Sequence, residues 1–131
     1  MLKIIAAIIA LSAPANALVI RDDLGGQLIP YAMNVAAQQG RVEIAGVCAS
    51  ACTLWLKRAC IRDNARLGFH GPHSTGKPLS RAEFDRLSLF MANFYPPKIA
   101  AWFMLEGRFI DHKNALWLTA DQAVAMGATR C

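Results

Sequence analysis

Beyond its first seventeen residues the chain has no apolar run long enough to span a membrane, which excludes a membrane-spanning helix from that stretch. It has no stripe of interleaved basic and aromatic residues. Its net charge of +5 comes from scattered lysines and arginines, so no nucleic-acid partner is expected and the charge serves solubility. No repeat, linker or low-complexity segment divides it. Its cysteines and histidines make no tight zinc knuckle: Cys48, Cys52 and Cys60 are separated by three and seven residues, and His70 and His73 by two. No metal and no cofactor is expected from that spacing. No glycine stands two places after Ser50, which excludes the nucleophile elbow of α/β-hydrolases.

What is present begins with an export signal. Met1-Leu2-Lys3 is a short basic start, Ile4 to Leu11 is almost uninterrupted aliphatic, and Ala15-Asn16-Ala17 has the small-x-small form of a cleavage site. Residues 1–17 are therefore expected to be a signal peptide and 18–131 a single domain in the periplasm or secreted. In an oxidising compartment Cys48, Cys52, Cys60 and Cys131 form two disulfides, which a small core needs. Three pairings are open. The favoured one joins Cys48 to Cys60, bracing the turn around Ser50, and Cys52 to Cys131, tying down the tail.

The coarse order is α/β. Leu18-Val19-Ile20 is strand-like, Gly25-Gly26 turns the chain, and Leu28 to Gln39 reads as a helix stopped by Gly40. Arg41 to Val47 is a strand, Ala51 to Ala59 an apolar helix, and Ala65 to His70 another short strand. Ser80 and Glu83 form a capping box for a helix with a core stripe of Phe84, Leu87, Phe90, Met91 and Phe94. Ile99 to Leu105 is a further short helix, and Thr119 with Gln122 caps the last one before Gly127. Strands alternating with helices imply parallel pairing. So few strands leave a helix face or sheet edge for another subunit to bury, and a homo-oligomer is expected.

Within that order Ser50 falls at a strand-to-helix turn and His70 at the end of the next strand. A nucleophile needs such a rigid turn, beside free backbone N–H groups and a proton acceptor. Ser50 as nucleophile, His70 as base, and the N–H groups of Gly26 and Ala51 as an oxyanion hole form the candidate constellation. The plainer alternative is a helix-capping serine, a glycine turn and a core histidine.

The segments Asp23-Leu24-Gly25-Gly26, Gly46-Val47-Cys48-Ala49-Ser50-Ala51, Ala65 to His70 and Leu118 to Gly127, in this order and spacing, resemble the Clp-protease-like branch of the ClpP/crotonase superfamily. The resemblance covers nearly all of 18–131. It implies a reduced ClpP/crotonase-like α/β fold, a short parallel sheet with flanking helices, self-association, and the same roles for Ser50, His70, Gly26 and Ala51. Two departures stand out. Where proteolytic members carry the orienting aspartate, this chain has Asn114-Ala115, with Asp111 just before. Asn114 and Asp111 are the candidate replacements, and Asp63 and Asp121 could be brought near by folding. The strands that full family domains place upstream of the glycine turn are also missing. The expected function is thus an exported serine hydrolase acting on a peptide or protein. The alternative is an inactive binding or assembly protein, its hydrophobic interface formed through Trp55, Trp102 or Phe103. Acyl-CoA chemistry is disfavoured, because an exported protein meets little of that substrate.

Overall fold

The computed structural model describes residues 16–131, so the expected signal peptide lies almost wholly outside the described residues. The hub of the fold is the strand β2 (Val42–Ala49). Its Val42 and Ile44 are buried, as the alternating pattern requires. β1 (Leu18–Asp23) runs parallel along the length of β2, and the register slips between Ile20 and Asp22, where the Arg21 carbonyl presses on Gly46. Any side chain at Gly46 would collide with that backbone.

On the other edge of β2, two short strands follow one another. β3 (Cys60–Ile61) pairs with Glu43 and Ile44, and β4 (Arg66–Phe69) pairs with Val47 to Ala49, both parallel. The sheet then forks. β6 (Thr129–Arg130) adds to β3 in parallel, while β5 (Leu116–Thr119) adds to β4 antiparallel. The six strands thus form a mixed sheet rather than the expected parallel one. Leu116 and Trp117 of β5 are exposed, so that strand lacks the inward-facing apolar pattern that would have marked it.

The helices flank this sheet. α1 (Leu28–Ala37) follows the glycine turn and buries only Ala32 and Val35. α2 (Arg81–Ala92) starts at the expected capping box, with Ser80 Oγ accepting from the Glu83 N–H at 3.1 Å. Of its expected stripe only Met91 is fully buried; Phe84, Leu87, Phe90 and Phe94 are half-covered. α3 (Pro97–Leu105) buries Ile99 and Phe103. α4 (Ala120–Ala125) carries the second capping box, Thr119 with Gln122.

Edge-to-face aromatic contacts join α3 to the sheet: Phe69 to Trp102 at 5.3 Å, Phe69 to Tyr95 at 5.7 Å and Tyr95 to Phe103 at 5.2 Å between ring centres. This overturns the expectation that Trp55 and Phe103 form an outer interface, because both are core residues, and Trp102 is itself half-buried against the core. Among the described residues no helix is long and apolar enough to cross a membrane.

The disulfides correct the favoured pairing. Cys48 is joined to Cys52, four residues on, with Cα atoms 5.2 Å apart; Cys60 is joined to Cys131, with Cα atoms 4.8 Å apart. The topology explains both. β6 lies beside β3, delivering the tail to Cys60. Cys52 meanwhile folds straight back over the end of β2. That crosslink also replaces the expected helix over 51–59 by a tight 3-10 turn, Ser50–Trp55, after which the chain doubles back to β3.

Candidate active site

Ser50 sits where β2 ends and the 3-10 turn begins. It is the only non-glycine residue with positive φ among the described residues, at +60°. This left-handed conformation costs an L-residue about 1–2 kcal/mol, so the surroundings must impose it. Three constraints do so. The Cys48–Cys52 disulfide brackets the residue on both sides. The Thr53 hydroxyl donates to the Ser50 carbonyl at 2.7 Å, leaving its oxygen to accept from the buried Tyr95 hydroxyl, also at 2.7 Å. Burial pushes the Tyr95 phenol pKa up, so it remains a donor.

The third constraint is Gly25, at φ +86°. A Cβ built there would stand 2.7 Å from the Ala51 nitrogen and 2.8 Å from the Ser50 Cβ, so only glycine lets the backbone come this close. The glycine turn expected to approach Ser50 is therefore against it. A hydrogen-bonded relay fixes that turn. Asp23 accepts from the Gly25 N–H at 2.8 Å and from the Tyr31 hydroxyl at 2.6 Å, and Tyr31 in turn accepts from the Trp55 indole at 2.9 Å. Burial and the Asp23 carboxylate raise the Tyr31 pKa, which keeps its proton in place at neutral pH. The sequence pattern gave no hint of this role for Tyr31 or Trp55. Asp23 carried one usable signal, an Asx residue two places before a glycine.

His70 follows β4 and is buried, with Leu67 and Phe69 of the strand packed in the core. Its Nδ1 lies 2.8 Å from the Gly71 carbonyl. A carbonyl only accepts, so Nδ1 carries a proton, and the lone pair of the neutral tautomer falls on Nε2. Gly71 is itself pinned: its N–H donates to the Ile110 carbonyl at 3.0 Å, and its Cα lies against the Arg108 carbonyl. The hydrogen-bond partner of the His70 ring is thus a backbone carbonyl, and neither Asn114 nor Asp111, the candidates for the orienting role, bonds to it. Asp111 accepts from the Lys113 N–H at 2.8 Å and stands 3.5 Å from His112 instead, while Asn114 is exposed. Asp63 and Asp121 both pair with Arg130 at the far end of the sheet.

Ser50, Ala51, Gly26 and His70 line one cavity of about 710 Å³. Its remaining wall includes α1, the loop after His70 and Leu87 and Met91 of α2, and among the described residues no Asp, Glu, Lys or Arg lines it. No hydrogen bond joins Ser50 to His70; hydrogen bonds of this kind commonly tighten only around bound substrate. The Gly26 N–H has no protein acceptor among the described residues. The short 3-10 turn supplies little dipole, so any anion stabilisation here comes from individual N–H groups.

His73 and His112 also line the cavity. Their rings stack with centres 3.8 Å apart, and those of His70 lie 5.5 and 6.3 Å away. Partial burial, then the neighbouring His112 and His70, hold the His73 pKa below the usual imidazole value. Comparison with protein-family models found no match, and no curated protein matched the chain.

Proposed function

We propose that the protein is an exported serine hydrolase of peptidase type, with Ser50 as nucleophile, His70 as general base and the N–H groups of Gly26 and Ala51 receiving the oxyanion. The observation that carries this reading is the positive φ of Ser50, held by a disulfide, a buried hydroxyl pair and a glycine contact in the wall of the cavity that His70 also lines. A capping serine needs none of this, and strain of this kind clusters at reactive sites. In the proposed reaction Ser50 Oγ attacks the acyl carbon and His70 Nε2 takes its proton, later giving it to the leaving group. The Gly71 carbonyl holds the ring in the required tautomer. Water then releases the acyl group by the same steps reversed.

The uncharged wall favours substrates with an apolar side chain beside the scissile carbonyl. The two disulfides suit the periplasm or an extracellular setting. Exposed Leu24, Ile29 and Met33 on and before α1 favour self-association along that face. The second reading, an inactive assembly protein on the same scaffold, draws on the missing Ser50–His70 hydrogen bond and on that same apolar face.

Labelling with a serine-directed fluorophosphonate separates the two. The hydrolase reading expects one adduct, on Ser50, absent in Ser50→Ala and slowed at least about a hundredfold in His70→Ala. An unlabelled wild type supports the assembly reading.

A further inference from the structure

The chain contains three histidines, and all three meet at the cavity, although they come from the end of β4, the following loop and the 3-10 turn His112–Asn114. Three imidazoles on one tetrahedral divalent ion, with metal–nitrogen distances of about 2.0–2.1 Å, have ring centres roughly 5 Å apart. His70 lies 5.5 Å from His73 and 6.3 Å from His112, already near that spacing. The stacked pair, at 3.8 Å, must open by roughly 1 Å, and both of its members are exposed enough to rotate. As the side chains stand, the nitrogens do not yet converge on one point. The only converging trio of ligand types among the described residues is Glu43, Cys60 and Cys131, whose sulfurs are bonded to each other.

One outer contact matches those of metal-bound histidines, which donate their second ring N–H to a carbonyl or carboxylate. His70 Nδ1 is held by the Gly71 carbonyl at 2.8 Å, which leaves Nε2 of that ring free. His112 Nδ1 stands 3.5 Å from the Asp111 carboxylate without a hydrogen bond to it.

We infer that His70, His73 and His112 bind a divalent transition ion of the zinc class, and that the ion blocks the serine site by occupying the His70 lone pair. Imidazole is a preferred ligand of such ions, and a water completes the fourth position. Binding of the ion stands on the three rings alone. Only its inhibitory effect rests on the hydrolase reading.

The test uses untagged, oxidised protein titrated with zinc chloride by calorimetry. One ion should bind per chain. Affinity should fall at least about tenfold in His73→Ala and in His112→Ala, and persist in Ser50→Ala. Circular dichroism without zinc checks that each variant is folded, and the tetrahedral absorption of bound cobalt gives a second readout. Absence of stoichiometric binding, or binding indifferent to both His73→Ala and His112→Ala, overturns the proposal. In parallel, zinc should slow fluorophosphonate labelling of Ser50 about tenfold or more, reversibly with chelator. If zinc binds at the three histidines and labelling proceeds unslowed, the inhibitory claim falls. If Ser50 never labels, the hydrolase reading falls and the titration still decides the ion site.

Discussion

Replacing Gly25 by alanine strikes the contact that holds the Ser50 turn in its left-handed conformation. The magnitude follows from two separate terms. Alanine at φ +86° costs about 1–2 kcal/mol in backbone energy. Its methyl would lie 2.7 Å from the Ala51 nitrogen, 2.8 Å from the Ser50 Cβ and 2.9 Å from the Ala49 carbonyl, so the two turns must part. Overpacking of that kind costs about 1–3 kcal/mol, for a total of about 2–5. At roughly 4 °C per kcal/mol for a domain of this size, the melting temperature should fall by about 8–20 °C.

Gly26→Ala is the matched control. It removes one glycine from the unfolded chain just as Gly25→Ala does, yet a Cβ at Gly26 meets nothing within 4 Å. Differential scanning calorimetry of the two variants isolates the combined cost of the positive φ and the close approach at Gly25. Gly26→Ala should melt within about 2 °C of the parent, and Gly25→Ala should also lose labelling at Ser50. Equal melting temperatures for the two variants would refute the claim that the glycine turn braces Ser50.

Other perturbations follow from the same contacts. Thr53→Val leaves the buried Tyr95 hydroxyl without its partner and frees the Ser50 carbonyl, and denaturant unfolding should register a loss of about 1–3 kcal/mol. Replacing the Cys60–Cys131 pair by serines releases a loop of 71 residues' separation and should cost about 4 kcal/mol, against about 2 for the Cys48–Cys52 pair at a separation of 4. The smaller loss at Cys48–Cys52 should nevertheless abolish more of the Ser50 labelling, because that bond brackets the residue. The Asp85 carboxyl is held below its usual pKa, first by the Arg108 hydrogen bond at 2.7 Å and then by Arg81. A depressed folded pKa contributes stability that is present above the unfolded value and lost as pH falls through the folded one. The stability gap between wild type and Asp85→Asn should therefore be constant near neutrality and shrink below about pH 4, as read by urea titrations across pH.

Elements whose information is local were legible in the sequence. The boxes Ser80–Glu83 and Thr119–Gln122 cap their helices as read, and Val42 with Ile44 mark a buried strand. Ser50 and His70 share a cavity with Gly26 and Ala51, as their places in the strand and helix order implied. What stayed hidden depends on neighbours far along the chain. β3 and β6 are two residues each, too short for any periodicity, and their pairing decides which cysteine Cys131 meets. β5 carries exposed Leu116 and Trp117, so its pattern does not read as a strand with one buried face. The orienting partner of His70 is a backbone carbonyl, which no residue type announces. His112 is separated from His70 by 42 positions and joins it only because the Ile110 and Arg108 carbonyls close on Gly71.

The most direct test of the central claim is a high-resolution structure of the oxidised protein after fluorophosphonate treatment, beside Ser50→Ala treated identically. The account predicts phosphonyl density on Ser50 Oγ, the His70 Nε2 within hydrogen-bond reach, and the phosphonyl oxygen facing the N–H groups of Gly26 and Ala51. An unmodified Ser50, or an adduct whose oxygen faces away from both amides, would contradict it.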